Sequence, residues 1–135
     1  MKKLQSITGS LLLKDGTIYD TATGKSSMGS VLIKDGVVEE ILSNGKLVSA
    51  DKIINCHGKV ITCGFTDIHV HFREPGREDK ETLETGSLAA LAGGFTRVCV
   101  MPNTNPVLDT PESIRFILDR AKKLPVEICP IGAIT

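Results

Sequence analysis

From Gly64 onward the sequence alternates strand, helix, strand, helix, strand, and this alternation constrains the fold more than any other feature. Phe65 to His71 reads as the first strand. Lys80 to about Ala92 reads as a helix, with Leu83, Ser87, Ala90 and Leu91 on one face at helical spacing. Gly86, Ala89 and Ala90 are small enough for that helix to pack closely on a sheet, and Gly93-Gly94 stands where helices commonly end. Phe95 to Met101 is apolar apart from Thr96 and Arg97, as suits a strand covered on both faces. Thr110 is placed to cap a second helix, with Pro111 in the first turn where a missing N–H costs nothing. Ile114, Ile117, Leu118 and Ala121 are expected to form its buried stripe, and Val126 to Ile134 reads as a third strand. Such alternation implies right-handed crossovers and a parallel sheet.

Residues 1–62 follow a different grammar, that of a small all-β domain. Lys14-Asp15-Gly16 follows Leu11-Leu12-Leu13, and Lys34-Asp35-Gly36 follows Val31-Leu32-Ile33. Asp-Gly between apolar runs predicts a hairpin turn, because the tight turn needs positive φ, which glycine supplies without strain. Asn44-Gly45 predicts a third turn, and Thr17-Ile18-Tyr19, Val37-Val38, Lys52-Ile53-Ile54 and Val60-Ile61 supply further short strands. The expected fold class is therefore α/β, with a small β domain over 1–62 and the first strands and helices of a barrel over 63–135. Three parallel strands leave an open sheet edge, and a (β/α)8 barrel takes about 250 residues. The expectation is that the chain is the N-terminal part of a longer protein.

Acidic and basic residues balance at 16 each, which supports neither a nucleic-acid nor a membrane-surface partner. Hydrophobic residues make up 41% and charged residues 24%, a globular balance. Cys56, Cys63, Cys99 and Cys129 form no C-x-x-C pair and read as buried, reduced thiols. Lys2 and Lys3 are followed by polar Gln5-Ser6, Leu11-Leu12-Leu13 is too short for a signal core, and no run approaches the ~20 apolar residues of a membrane span. The expected compartment is the cytoplasm.

Candidate chemistry concentrates in Gly64 to Gly76. In a strand alternate side chains share a face, so Asp67, His69, His71 and Arg73 are expected on one side and Ile68, Val70 and Phe72 on the other. A polar row on a buried strand must line a cavity or bind something. Two imidazoles two positions apart can hold one divalent cation, and catalytic zinc sites use such nitrogens. Pro75-Gly76 breaks the strand just beyond, placing the histidines at its C-terminal end, where barrel enzymes keep their sites. Elsewhere, His57 reads as a surface histidine at a turn. Glu74, of opposite parity to Arg73, reads as a loop-positioning residue, and Glu78 to Glu81 as a solvated charge run that starts a helix.

The string Gly64-Phe65-Thr66-Asp67-Ile68-His69-Val70-His71-Phe72-Arg73-Glu74-Pro75-Gly76 resembles the strand-one signature of the amidohydrolase superfamily. With Gly93-Gly94-Phe95-Thr96 and Met101-Pro102-Asn103-Thr104-Asn105-Pro106 following, nearly the whole chain resembles the dihydroorotase family. Cys63, where a proline is usual, and Thr66, where an aliphatic residue is usual, depart from that pattern without touching the candidate ligands.

The resemblance implies a zinc-dependent enzyme with one or two ions, His69 and His71 ligating the more buried one. Arg73 and Asn103 would bind the carboxylate of dihydroorotate or N-carbamoyl-aspartate, a planar guanidinium suiting a carboxylate bidentately. Asp67 would be a structural partner behind the ligands. The remaining ligands and the catalytic acid/base are expected beyond Thr135, so this segment alone is expected to be inactive. The implied partner is a small-molecule substrate in pyrimidine biosynthesis, with a homo-oligomer possible. Alternative readings are another cyclic amidohydrolase, allantoinase or dihydropyrimidinase, or a non-catalytic dihydroorotase-like subunit.

Overall fold

The computed structural model describes residues 8–43 and 45–135, so the N-terminal lysines and the expected turn at Asn44 lie outside the described residues. The chain divides into two compact units, Met1–Cys63 and Gly64–Thr135.

The first unit is a mixed sheet of β1 (Ser10–Asp20), β2 (Lys25–Lys34), β3 (Val37–Ser43), β4 (Lys52–Asn55) and β5 (Val60–Ile61). The order is β3-β2-β1-β4, with β5 also paired to β1. Asp35-Gly36 is a two-residue hairpin turn with φ values of 48° and 77°, joining β2 to β3. The expected turn at Asp15-Gly16 is not one. β1 runs through it, and the β1–β2 register shifts between Leu13 and Gly16, a bulge with Asp15 at φ 58° whose N–H donates to Ser30 Oγ at 3.0 Å. An aspartate tolerates the left-handed region, and here it bends one long strand instead of reversing the chain. Residues 11–14 pair in parallel with β4 and residues 17–18 with β5, while Cys56 N–H donates to Lys14 O at 2.7 Å and Thr17 N–H to Lys59 O at 2.9 Å. Leu12, Val31, Leu42 and Cys56 are its buried apolar residues.

The second unit carries β6 (Phe65–Val70), α1 (Leu83–Ala92), β7 (Phe95–Val100), α2 (Pro111–Ala121) and β8 (Glu127–Pro130). Its three strands form one parallel sheet in the order β6-β7-β8. Val98, Val100 and Ile128 alternate onto the face covered by Leu83, Leu108, Ile117 and Ala121. Both helices start at threonine capping boxes, Thr82 with Thr85 and Thr110 with Ser113, which satisfy N–H groups that have no partner within the helix. α1 therefore begins later than Lys80, at the Thr82 cap, with Glu78 and Asp79 bonded to Gly76 and Arg77 in the preceding turn. Gly86 lies against the Phe72 ring, and a Cβ there would meet ring carbons at 2.6 Å.

Two packing expectations fail. Leu118, expected in the buried stripe of α2, is 44% exposed, since the stripe that reaches the sheet is narrower than the apolar pattern. Of the cysteines, all free, only Cys56 is buried; Cys63 is exposed and Cys99 and Cys129 intermediate. Arg97 pairs across the sheet with Glu127 at 2.7 Å, which accounts for a charge inside an apolar strand.

Candidate functional site

The parallel sheet ends with two adjacent chain exits. Met101 N–H donates to Val70 O at 2.9 Å, extending the β6–β7 ladder beyond both strands and bringing the segment after β7 beside the end of β6. Thr104 N–H bonds Pro102 O at 2.8 Å, Leu108 N–H bonds the same oxygen at 3.2 Å, and fully buried Leu108 anchors this second segment. Asn105 N–H donates to Pro75 O at 3.0 Å, tying it to the segment after β6. Gly76, at φ 101°, lies so close to this junction that a Cβ would stand 2.2 Å from Asn105 O. The Glu74-Pro75 and Asn105-Pro106 peptides are both cis.

His69 lies in β6 and His71 one residue past its end, and both are exposed. Their Nε2 atoms stand 3.2 Å apart. His71 Nδ1 is 2.8 Å from Asn103 Oδ1. A carboxamide oxygen only accepts, so Nδ1 carries the proton and His71 Nε2 keeps its lone pair. Two nitrogens bound to one tetrahedral zinc at about 2.0–2.1 Å would stand about 3.3 Å apart, so the observed spacing fits a shared cation. Among the described residues no group of three or more His, Cys, Asp or Glu side chains is gathered to hold a metal.

Strand alternation does not place the other polar residues. Asp67 pairs with Val98 and Val70 with Val100, so three residues of β6 span two of β7. This irregularity changes the parity between Asp67 and the histidines. Asp67 lines a cavity of about 250 Å³ with Val70, His71, Phe72, Glu81 and Gly86. Its carboxylate accepts the His69 backbone N–H at 2.9 Å, so it braces the ligand-bearing backbone.

Arg73 lies beyond the strand at φ 59°, outside any alternation. Arg77, Arg97, Arg115 and Arg120 all pair with carboxylates, and among the described residues Arg73 is the one arginine without such a partner. The charge run after it is organised, not merely solvated. Gly76 N–H bonds both Glu78 oxygens at 3.0 and 3.1 Å and holds that carboxyl below its ordinary range. Arg77 does the same for Asp79, bonding it at 2.8 Å. His57, in the first unit, is exposed, its backbone N–H bonded to Asn55. Sequence reasoning did not foresee that Glu74 is buried, because its partners come from both helices. No helix is long and apolar enough to cross a membrane among the described residues.

The chain is 48% identical over 102 residues to a dihydroorotase of Chlorobaculum tepidum, covering 73% of this chain and 23% of that protein. It is 46% identical over 127 residues to a dihydroorotase of Bacillus cereus strain AH187, covering 92% of this chain and 29% of the relative. Among solved structures it is similar to an L-hydantoinase (dihydropyrimidinase) from Arthrobacter aurescens, with a TM-score of 0.77 and 26% identity over 90% of this chain and 27% of the other. A D-hydantoinase (dihydropyrimidinase) from Thermus sp. gives a TM-score of 0.68 at 28% identity, covering 92% and 27%. The chain thus spans less than a third of the length of these relatives. The dihydro-orotase-like family model matches residues 58–135, which hold His69, His71, Arg73 and Asn103 and make up more than half of the sequence, and the chain belongs to that family.

Proposed function

We propose that this chain is the N-terminal part of a zinc-dependent dihydroorotase, its small β domain followed by the opening strands of a (β/α)8 barrel. The enzyme hydrolyses the ring amide of dihydroorotate to N-carbamoyl-aspartate and runs the same closure in reverse. The observation that carries this reading is the convergence of His69 and His71 Nε2 to 3.2 Å at the end of a parallel strand, with Asn103 fixing the tautomer. His69 and His71 would hold the metal. When bound, zinc supplies activation of water and polarisation of the ring carbonyl.

The residues of this chain bind and orient. Arg73, without a carboxylate partner among the described residues, receives the free carboxylate of the substrate through its two-pronged guanidinium. Asn103 uses its oxygen on His71 and keeps its amide N–H groups for the same carboxylate. Asp67 holds the His69 backbone in place. A catalytic zinc site needs a third protein ligand and a proton-transferring carboxylate. These come from strands outside this segment, which is inactive by itself because half a metal shell binds weakly. The proposed setting is pyrimidine synthesis in the cytoplasm, and the proposed assembly is a homo-oligomer.

A second reading, dihydropyrimidinase or allantoinase, draws support from the similarity to an L-hydantoinase (dihydropyrimidinase) structure. Arg73 separates the two, since hydantoin and allantoin rings lack the carboxylate that a fixed cation would serve. Turnover of dihydroorotate, hydantoin and allantoin by the full-length protein decides between them. Preference for either of the last two rejects dihydroorotase. No turnover of any, with zinc not retained, assigns a non-catalytic dihydroorotase-like subunit.

A further inference from the structure

Glu74 is the one buried charged side chain among the described residues, 4% exposed. Its Oε2 accepts the backbone N–H of Leu83 at 2.8 Å, at the first residue of α1, where no intrahelical acceptor exists. Its Oε1 forms an ion pair with Arg120 near the end of α2, and the Arg120 guanidinium also lies 5.5 Å from the centre of the Phe116 ring. Its backbone N–H donates to Phe72 O at 2.7 Å, closing a three-residue turn whose central residue is Arg73.

That central residue has φ 59°, a region that costs a side-chain-bearing residue about 1–2 kcal/mol. With Arg120 half-exposed the ion pair adds little net stability by itself, and the Leu83 N–H needs only an acceptor, which an uncharged amide would also supply. What the carboxylate adds is direction. It holds one loop residue to a helix N-terminus and to a second helix, beside the arginine at the centre of that turn.

We propose that Glu74 is the positioning residue for Arg73: by binding Leu83 N–H and Arg120 it fixes the turn that presents the guanidinium to the carboxylate of the substrate. This rests on the reading of Arg73 as the carboxylate-binding group of a dihydroorotase. Loss of the tie leaves the histidines and Asn103 in place, so carboxylate binding weakens while zinc binding does not.

The test uses the full-length zinc enzyme with Glu74→Gln, which keeps size and one acceptor oxygen, and Arg120→Gln, which removes the other side of the pair from a half-exposed position. KM for dihydroorotate, kcat and zinc affinity are measured for each, with thermal unfolding to confirm folding. Glu74→Gln is expected to raise KM about tenfold, the scale on which one charge-assisted contact weakens binding, with kcat and zinc affinity within about twofold. Arg120→Gln is expected to raise KM in the same direction by less. If Glu74→Gln does not fold, Arg120→Gln decides alone. An unchanged KM overturns the proposal, and so does a parallel loss of kcat and zinc affinity, which marks general loosening. Absence of dihydroorotate turnover by the unsubstituted enzyme instead overturns the functional reading.

Discussion

Asn103→Ala should weaken zinc binding through His71 without touching a metal ligand. The carboxamide oxygen accepts the His71 Nδ1 proton at 2.8 Å, which both orients the ring and leaves the Nε2 lone pair 3.2 Å from its partner on His69. Removing such a partner of a ligating histidine costs roughly tenfold to a hundredfold in metal affinity, or about 1.4–2.7 kcal/mol. His71 and Asn103 are both exposed in this chain, so water can replace the lost acceptor, and the lower end, about tenfold, is expected. Asn103→Asp separates the two roles of the side chain. Its carboxylate still accepts from Nδ1 and should keep zinc affinity at or above the starting value, whereas its negative charge should raise KM for dihydroorotate. Competition for zinc against a chromophoric chelator, run on the full-length protein, reads the first effect and steady-state kinetics the second. Equal zinc affinity in the unsubstituted, Ala and Asp proteins would show that the 2.8 Å contact does not orient the ligand, and the reasoning would fail.

Three further outcomes follow from the packing. Gly76→Ala combines a φ of 101° with a Cβ 2.2 Å from Asn105 O, so the two site segments must separate. A loss of about 2–4 kcal/mol in chemical denaturation is expected, and a loss under 0.5 kcal/mol would mean the junction is loose. Ile117→Ala empties a fully buried position between α2 and the sheet and should cost about 2–5 kcal/mol; a cost near zero would place Ile117 outside the core. The Asp51 carboxyl is held below its ordinary range, first by the Ser10 backbone N–H and then by the Ser10 hydroxyl. Its contribution is therefore present above the unfolded pKa and lost as pH falls through the lower folded value, below about pH 4. Asp51→Asn should flatten the acid limb of a melting-temperature profile, and an unchanged limb would reject the linkage.

The residues of the candidate site were legible because they are named by type and spacing: two histidines two positions apart, an arginine two positions on, and an asparagine after the next strand. Their arrangement was not. Alternation would have put Asp67, His69, His71 and Arg73 in one row, but an irregularity in β6 offsets Asp67, and the strand ends before Arg73. The Asn103–His71 bond joins residues 32 positions apart and exists only because the β6–β7 ladder aligns the two chain exits. The Asp15-Gly16 dipeptide shows the same limit in the first unit. Asp-Gly specifies positive φ, yet whether that makes a turn or a bulge depends on what pairs with β1 on its other edge.

By itself the sequence determined the α/β alternation, the Thr110 cap and the candidate ligand pair, since each follows from local periodicity or residue chemistry. Only the tertiary structure decided which nitrogen faces which, that Arg73 has no carboxylate partner among the described residues, and that Glu74 is a buried tie between two helices. Those are contacts between segments distant in sequence, set by strand register and helix packing, and no local pattern encodes them.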